Sequence, residues 1–340
     1  MTAIEAQRFL EQYLHSEVVG FEQLPASGSS RVNFIGTAES HNKWVVTYNE
    51  NLRENNAFIY FSEVFSKLKL NTPKIFKVSD DRTTYIQSFL GTHTLSQLIA
   101  QEGESEHIAS LVKKTLQALY HLQNKTLNKI DYHQSYEYER YDKLPIIHDL
   151  YYFKNYIVDI LELHYHKSTL LKEFECLTQL IENLEPKGLM IRDFQSRNIM
   201  VNSDDEVGFI DYQAAMEGPL MYDVVSFLFQ AKANFSEEFK QQMLSYYWHL
   251  FDDKTTQEQL KTSLPYIQLI RFMQVLGAYG FRGLIQRKPH FLESLSQGIS
   301  NLYQFAQQWE GMSQFSELAQ VIHQLNQHPI TKDASSYQLY

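Results

Sequence analysis

The sequence predicts an α+β fold with two lobes, a small antiparallel sheet followed by a mostly helical region. A chain of 340 residues exceeds what one compact core usually serves, so two lobes are expected. Short β-rich segments dominate the chain up to about residue 90, and apolar residues at helical spacing dominate the rest. We therefore place an N-terminal lobe at 1–90, a C-terminal lobe at 91–340, and a hinge at Gly91-Thr92-His93.

The N-terminal lobe opens with an amphipathic helix in MTAIEAQRFLEQYL. Turn formers such as Ser27-Gly28-Ser29-Ser30 then separate short β-rich segments. The predicted strands are Phe21–Leu24, Val32–Ile35, Lys43–Tyr48, Ile75–Val78 and Thr84–Ser88. A single helix at Asn55–Leu68 lies between the third and fourth strands, because Phe58, Phe61 and Phe65 recur there at helical spacing. This order predicts a small antiparallel sheet with one inserted helix.

The C-terminal lobe contains a series of helices, two of them marked by apolar stripes from Ile108 to Leu119 and from Leu170 to Leu184. Further helices are predicted at Pro219–Ala231, Glu237–Leu250, Pro265–Ile285 and Phe291–Gln307. Two short apolar runs interrupt them, Gly188–Ile191 and Val207–Ile210. We expect these runs to form a hairpin-like pair of strands around a polar loop.

Composition restricts the class of ligand. The formal net charge of −10 argues against nonspecific binding to nucleic acid or to an anionic membrane, and favours a small-molecule substrate. The N-terminus lacks the basic-then-apolar plan of a signal peptide, and no apolar run approaches membrane-spanning length. We therefore expect a cytoplasmic protein.

The polar loop carries the residues that point to a reaction. In IRDFQSRNIMVNSDDEVGFIDYQ, Asp193 precedes Asn198 by five positions, and Asp211 follows Asn198 by thirteen. Phosphoryl transfer to a hydroxyl needs a carboxylate that orients the acceptor and oxygen ligands that hold Mg²⁺ against the phosphates. Asp193 suits the first task, and Asn198 with Asp211 suits the second. The alternative is that Asp193 and Asn198 only cap turns in the loop.

Four stretches give the chain its resemblance to a known family: LPASGSSRVNF, ENNAF, IRDFQSRNIM with GFIDYQAAMEGPLMYDVVSFL, and IRFMQVLGAYGFRG. The chain resembles the aminoglycoside phosphotransferase/choline kinase superfamily, and within it the bacterial anomeric N-acetylmuramate/N-acetylglucosamine kinases. The resemblance implies a bilobal protein-kinase-like fold with a nucleotide-binding N-lobe, and implies ATP and Mg²⁺ as cofactors.

The same resemblance assigns roles to individual residues. It implies Asp193 as the catalytic base, and Asn198 and Asp211 as magnesium ligands. Asp223 would be a structural carboxylate that bonds back to the catalytic loop, or else the partner of a helix end. Arg197, beside the base, is predicted to contact phosphate or to balance local charge, the alternative being a solvated or ion-paired arginine.

The chain departs from the superfamily pattern at two positions. Ile191 stands where members usually carry a histidine, and the strand Trp44-Val45-Val46-Thr47-Tyr48 lacks the lysine that normally meets the α- and β-phosphates. We predict that the turn with Gly28, Ser29 and Ser30 approaches phosphate and that Arg31 replaces the lysine as an exposed side chain; the alternative is an ordinary hairpin tip.

Other N-lobe residues complete the predicted nucleotide site. Asn49, Asn51 and Asn55 follow the strand that lacks lysine and are expected to add neutral hydrogen-bond donors. Gln87, on the predicted strand Thr84–Ser88, is also assigned to the nucleotide-binding set.

Three functions stay open on the sequence alone. The first is a kinase for the anomeric hydroxyl of a cell-wall amino sugar. The second is a kinase for another acceptor, such as an aminoglycoside, choline or homoserine. The third is a pseudokinase, a regulatory module that binds nucleotide or a partner without turnover. The segment His148–Asp159 and Tyr279-Gly280-Phe281-Arg282 are candidates for the acceptor pocket, in which Asp149, Lys154 or Arg282 would hold hydroxyls or a lactyl carboxylate. The alternative is that the aromatic residues of His148–Asp159 form the core face of a helix.

Overall fold

The computed structural model describes residues 1–25 and 31–333. These residues form two compact units. Unit 1 comprises Met1–Glu139 and Ile191–Met216, and unit 2 comprises Arg140–Met190 and the chain from Glu217 onward. A small antiparallel sheet near the N-terminus and a mostly helical remainder confirm the predicted α+β class.

Unit 1 opens with a helix, α1 (Ala3–Leu14), and contains a five-stranded sheet whose neighbouring strands are all antiparallel. The strands are β1 (Gly20–Gln23), β2 (Val32–Thr37), β3 (Lys43–Tyr48), β4 (Ile75–Val78) and β5 (Thr84–Ser88). They lie in the order β1-β2-β3-β5-β4. Each matches a predicted strand within about two residues, because the alternating apolar residues and flanking turn formers mark both ends.

Helix α1 covers one face of this sheet. Leu10 packs there in a buried cluster with Phe34, Val46 and Ile86. The helix approaches the sheet closely at Gly36, where an added Cβ would meet the end of the Leu10 side chain. A larger residue there would have to displace Leu10 from the buried cluster.

Helix α2 (Leu52–Lys67) packs on the other face of the sheet. Side chains alternate across a strand, so Tyr85 points away from its buried neighbour Ile86. The Tyr85 ring stacks on Phe58 of α2, with the ring centroids 5.4 Å apart. The helix begins three residues earlier than predicted, because the Asn51 side chain caps it by accepting a hydrogen bond from the Glu54 backbone N–H.

The rest of unit 1 combines helices with a second, three-stranded sheet of order β6-β8-β9. Its elements are β6 (His93–Thr94), α3 (Leu95–Glu102), α4 (Glu106–Thr126), 3₁₀ turns at Tyr132–Gln134 and Ser196–Asn198, β8 (Ile199–Val201) and β9 (Val207–Phe209). The strand β7 (Lys187–Met190) belongs to unit 2 and pairs with β10 (Met216–Pro219).

The predicted hairpin between Gly188–Ile191 and Val207–Ile210 is therefore wrong. Strand β9 pairs instead with β8, and the turn between them is closed by a bond from the Asp205 backbone N–H to the Asn202 carbonyl. The three-residue strand β8 is too short to show a period of two in the sequence, so the pattern did not reveal it.

Unit 2 is built mainly from helices. They are α5 (Lys143–Phe153), a first π turn (Lys154–Val158), α6 (Lys167–Glu182), α7 (Met221–Leu228), α8 (Glu237–Trp248), α9 (Lys254–Tyr279), a second π turn (Gly280–Ile285), α10 (Pro289–Gln308) and α11 (Ser316–Gln327), with 3₁₀ turns at Glu310–Gln314 and Pro329–Thr331. In the described part of the chain, no helix combines the length and apolar character needed to cross a membrane.

Two prolines in unit 2 do not begin helices as predicted. Pro219 ends β10, and α7 starts after it. Pro265 lies inside α9, which begins at Lys254 because the Asp253 side chain caps it through the Thr256 backbone N–H. Proline suits a first helical turn, but a strong cap upstream outweighs that preference.

Candidate active site

The loop that carries Asp193 is anchored in unit 1 by its aromatic neighbour. The ring of Phe194 is buried and packs edge-on against Phe209 of β9, with the centroids 4.9 Å apart. Ile191, where the resemblance leads us to expect a histidine, is also buried, at 1% exposure. Apolar packing thus helps to hold the loop. The Asp193 side chain is half-buried, and its carboxylate makes no hydrogen bond with any residue in the described ranges.

Asn198 links the two predicted acidic residues. Its side-chain Nδ2 donates to the Asp193 backbone carbonyl at 2.9 Å and to Asp211 Oδ2 at 3.2 Å. Its backbone carbonyl accepts from the Ile210 N–H at 3.0 Å. The structure therefore brings Asp193, Asn198 and Asp211 together, as their spacing predicts.

Asp211 is positioned through the residue that follows it. The Tyr212 ring is fully buried among aromatic side chains of α2, stacked on Phe58 at 4.8 Å and edge-on to Phe65 at 5.1 Å. Its hydroxyl bonds with Ser62 Oγ at 2.7 Å. Asp211 itself has a φ of +67°, a conformation that aspartate tolerates better than most residues. Packing on α2 thus holds the carboxylate in a fixed place.

Arg31 is a largely buried member of this site rather than the exposed side chain we expected. Its side chain is 13% exposed, and its Nη2 donates to Asp211 Oδ1. Its Nη1 donates to Gln213 Oε1 at 3.1 Å, and its Nε lies 3.3 Å from Glu54 Oε1 on α2. Arg31, the residue just before β2, therefore contacts both α2 and the segment after β9.

The charges of this cluster stabilise one another. Burial disfavours the ionised carboxylate of Asp211, but the charge of Arg31 and the hydrogen bonds from Arg31 and Gln213 outweigh burial, so the pKa of Asp211 lies below its ordinary value. Burial likewise disfavours the guanidinium of Arg31, yet the charge of Asp211 dominates and raises the pKa of Arg31. Both groups are charged at neutral pH.

Glu54 is a member of the site that the sequence analysis did not identify. Besides its ion pair with Arg31, it accepts a hydrogen bond from Asn49 Nδ2 at 2.8 Å. Glu54 lies in the first turn of α2, whose buried residues also include the polar Asn55 and Ser62, so the sequence does not mark it as a buried carboxylate that needs a partner.

The amide groups of the three asparagines near α2 already bond within the protein. Asn49 holds Glu54, and Asn51 caps α2 and donates to the Tyr136 hydroxyl at 2.7 Å. Asn55 Nδ2 donates to the backbone carbonyls of Asn49 and Arg82, both at 2.8 Å. These bonds position α2, so the expectation that the amides serve as free donors is corrected.

The remaining predicted residues fall in different places. Gln87 is buried on β5 and donates to Thr47 Oγ1 at 2.9 Å, and its carbonyl oxygen is buried without a partner in the described part of the chain. Arg197 is exposed, and its charge helps to lower the pKa of Asp211. Gly28, Ser29 and Ser30 lie outside the described residues. Asp223 is fully buried on α7, and its bond to the catalytic loop stays a prediction.

The donor set suits a hard divalent cation. Asp211 offers carboxylate oxygens and Asn198 an amide oxygen, because the bonds of Asn198 described above use its nitrogen. Mg²⁺ prefers such oxygen donors and typically takes only one or two from the protein beside those of substrate phosphates. No cluster of three or more His, Cys, Asp or Glu that might hold a metal by themselves occurs among the described residues.

Sequence comparison identifies the family. Residues 21–257 match the phosphotransferase enzyme family, APH. A curated relative, the N-acetylmuramate/N-acetylglucosamine kinase of Neisseria meningitidis serogroup B, is 25% identical over 186 residues, which are 53% of this chain and 52% of that protein. The chain thus matches about half the length of this relative.

Solved structures share the fold at low identity. The gentamicin complex of APH(2")-IIa gives a TM-score of 0.60 at 18% identity, covering 89% of this chain and 97% of that chain. Choline kinase LicA from Streptococcus pneumoniae gives 0.59 at 11% identity, covering 88% and 99%. An ethanolamine kinase of Plasmodium vivax gives 0.57 at 14% identity, covering 83% and 81%.

The fold and family predicted from the sequence are therefore confirmed. The chain belongs to the APH phosphotransferase enzyme family and has its protein-kinase-like fold.

Proposed function

We propose that this protein is an ATP- and Mg²⁺-dependent kinase that phosphorylates the anomeric hydroxyl of a cell-wall amino sugar, N-acetylmuramate or N-acetylglucosamine. One observation carries the proposal: Asp211 contacts both Asn198 and Arg31, so the predicted metal ligands and a largely buried cation form one connected cluster. The curated relative's name supports the acceptor. The net charge of −10 supports a small-molecule substrate rather than nucleic acid, and ATP supply favours a cytoplasmic location.

Asp193 is the proposed base. Its half-buried carboxylate makes no hydrogen bond within the described residues, so it is available to orient an acceptor hydroxyl and to accept its proton. The hydroxyl oxygen then forms a bond to the terminal phosphorus of ATP as the bond to the ADP oxygen breaks. Arg197, exposed near this loop, is proposed to balance the charge that develops on the phosphoryl oxygens.

Asn198 and Asp211 are the proposed magnesium ligands. When bound, Mg²⁺ neutralises charge on the transferring phosphates. The Asn198 side chain donates both to the Asp193 backbone carbonyl and to Asp211. It therefore fixes the position of the proposed base relative to the proposed metal ligands. In this arrangement, we assign residues 1–90 to nucleotide binding and 91–340 to the catalytic loops and acceptor binding.

Arg31 is proposed to replace the missing strand lysine. A kinase lysine normally contacts the phosphates and pairs with a glutamate on the helix inserted after that strand. Here Arg31 reaches Glu54 on α2 from the position just before β2 rather than from β3, and Glu54 is held in turn by Asn49. Gly28, Ser29, Ser30 and Gln87 are proposed to complete the nucleotide site.

An assay with ATP, Mg²⁺ and a panel of acceptors tests this function. We expect an acid-labile sugar 1-phosphate, identified by phosphorus NMR, from N-acetylmuramate or N-acetylglucosamine. Phosphorylation of kanamycin, choline or homoserine, with no reaction on either sugar, would replace the amino-sugar assignment with another acceptor. Calorimetry that detects no binding of Mg²⁺–ATP would support a pseudokinase instead.

A further inference from the structure

Two π turns in unit 2 pack against each other. The first, Lys154–Val158, continues α5, and the second, Gly280–Ile285, continues α9. Each is closed by a backbone hydrogen bond between residues five positions apart. The Asp159 N–H donates to the Lys154 carbonyl at 2.8 Å, and the Gln286 N–H donates to the Phe281 carbonyl at 3.0 Å. π turns are rare and occur often at functional sites. Neither turn is used by the cluster around Asp211.

Glycine at the meeting point allows the backbones of the two π turns to lie in direct contact. An added Cβ at Gly280 would lie 2.2 Å from the Tyr156 backbone oxygen, and in the helices that precede the turns one at Gly277 of α9 would lie 2.8 Å from the Phe153 backbone nitrogen of α5. A side chain at either position would clash with the facing backbone, so the two backbone segments would have to move apart. The contact therefore fixes the residues on both turns relative to each other.

Three aromatic side chains gather where the turns meet. The Tyr156 ring lies 4.9 Å from the rings of both Tyr152 and Phe281, and all three side chains are half-buried. The hydroxyls of Tyr152 and Tyr156 make no hydrogen bond with any residue that the structure describes. A half-buried tyrosine offers an apolar face together with a polar group, which suits a ring that carries hydroxyls.

Arg282 adds a positive charge beside this aromatic cluster. Its guanidinium lies over the Phe291 ring, 5.3 Å from the centroid, and forms no ion pair within the described ranges. Burial raises the pKa of the Tyr152 phenol, and the charge of Arg282 opposes that shift, so the two groups are close enough to interact.

The other charged candidates for the acceptor pocket already have partners. Lys154 pairs with Asp159 at 2.7 Å and lies over the Tyr165 ring. Asp149 is 1% exposed and accepts a hydrogen bond from the Tyr141 hydroxyl at 2.9 Å. Of these three candidates, Arg282 is the one whose charge has no ion-pair partner among the described residues.

We propose that the face formed by Tyr156, Phe281 and Arg282, with Tyr152, binds a sugar that carries a carboxylate, and that Arg282 recognises the carboxylate. A guanidinium binds a carboxylate through two parallel hydrogen bonds, and its stacking on Phe291 leaves fewer conformations to lose on binding. N-acetylmuramate differs from N-acetylglucosamine by a lactyl group with such a carboxylate. The proposal rests on the amino-sugar function above and makes Arg282 the residue that distinguishes the two sugars.

The test compares kinetic constants for the two sugars in the parent, Arg282→Ala and Arg282→Lys proteins. We expect Arg282→Ala to raise the KM for N-acetylmuramate roughly tenfold to a hundredfold, because a charged hydrogen bond is lost. The KM for N-acetylglucosamine should change less than about threefold, since it has no group for Arg282 to bind. Lysine should restore part of the affinity, because it keeps the charge but not the paired donors.

Lys172→Ala is the matched control, because it removes one exposed positive charge from α6 of the same unit. It should leave both KM values unchanged. Equal losses for both sugars in Arg282→Ala, with unchanged thermal stability, would overturn the carboxylate assignment and leave the proposed function standing. A parent protein that phosphorylates neither sugar would instead refute the proposed function, so the two failures are distinguishable.

Discussion

Replacing Arg31 with alanine tests the nucleotide end of the site, and the structure gives the size of the effect. The change removes hydrogen bonds to Asp211 and Gln213 and the ion pair with Glu54. The side chains of Glu54 and Asp211 are 12% and 23% exposed, so each loses a charged partner in a partly buried place. Allowing for solvent screening, we expect the free energy of unfolding to fall by about 2–3 kcal/mol.

The same substitution should weaken nucleotide use. If Arg31 also donates to a phosphate, the loss of one charge-assisted bond raises the KM for ATP roughly tenfold to a hundredfold. The turnover number should fall as well, because charge on the phosphates grows toward the transition state. The KM for the acceptor should stay within about threefold of the parent value, since this change removes no acceptor contact.

Initial rates across ATP concentrations, measured well below the unfolding midpoint of each variant, separate nucleotide binding from stability. Arg53→Ala is the control: it removes an exposed arginine from the first turn of α2, where no ion pair with a described residue is lost. It should match the parent in both measurements. An Arg31→Ala protein that is less stable but uses ATP with parental constants would refute the phosphate role and leave Arg31 a purely structural residue.

Three further predictions address the base, the metal ligands and the packing of unit 2. Asp193→Asn should lower turnover by orders of magnitude and leave Mg²⁺–nucleotide binding nearly intact; unchanged turnover would exclude a kinase that uses this base. Asp211→Asn should weaken Mg²⁺-dependent nucleotide binding more than Asn198→Ala does, and calorimetry with and without Mg²⁺ would show the reverse order if the ligand roles are exchanged. Gly280→Ala should lower the free energy of unfolding by at least about 2 kcal/mol, because the added Cβ would lie 2.2 Å from a facing backbone oxygen; Gly20→Ala, whose Cβ would meet its nearest atom at 3.7 Å, should show a much smaller change in chemical denaturation.

The sequence was informative where the signal is local. The strands of the first sheet follow from alternation and turn residues within a few positions, and residue type and short spacing were enough to group Asp193, Asn198 and Asp211 as candidate site residues. The partners of Arg31 were not predictable in this way. Arg31 and Asp211 are 180 positions apart, and no local pattern in the sequence indicates that the fold places them side by side.

The predictions of helix starts and strand pairing were wrong where a local sequence preference was outweighed by another interaction. Pro265 suits the start of a helix, but the cap at Asp253 sets the start of α9 eleven positions upstream. The predicted hairpin failed because pairing partners depend on the tertiary fold, and the short β8 lies nearer to β9 along the chain. Glu54 was missed because the charge of one residue in a helix does not reveal whether it is buried.

Helix α2 has a double attachment that restricts how this protein can evolve. Its Glu54 pairs with Arg31, and its Ser62 and aromatic side chains hold Tyr212, the neighbour of Asp211. Substitutions on this helix would shift Arg31 and the predicted metal ligand Asp211 together. Under the proposed function, substitutions on α2 that raise thermal stability should therefore also change the affinity for nucleotide. Substitutions there that favour a different nucleotide should likewise change the free energy of unfolding.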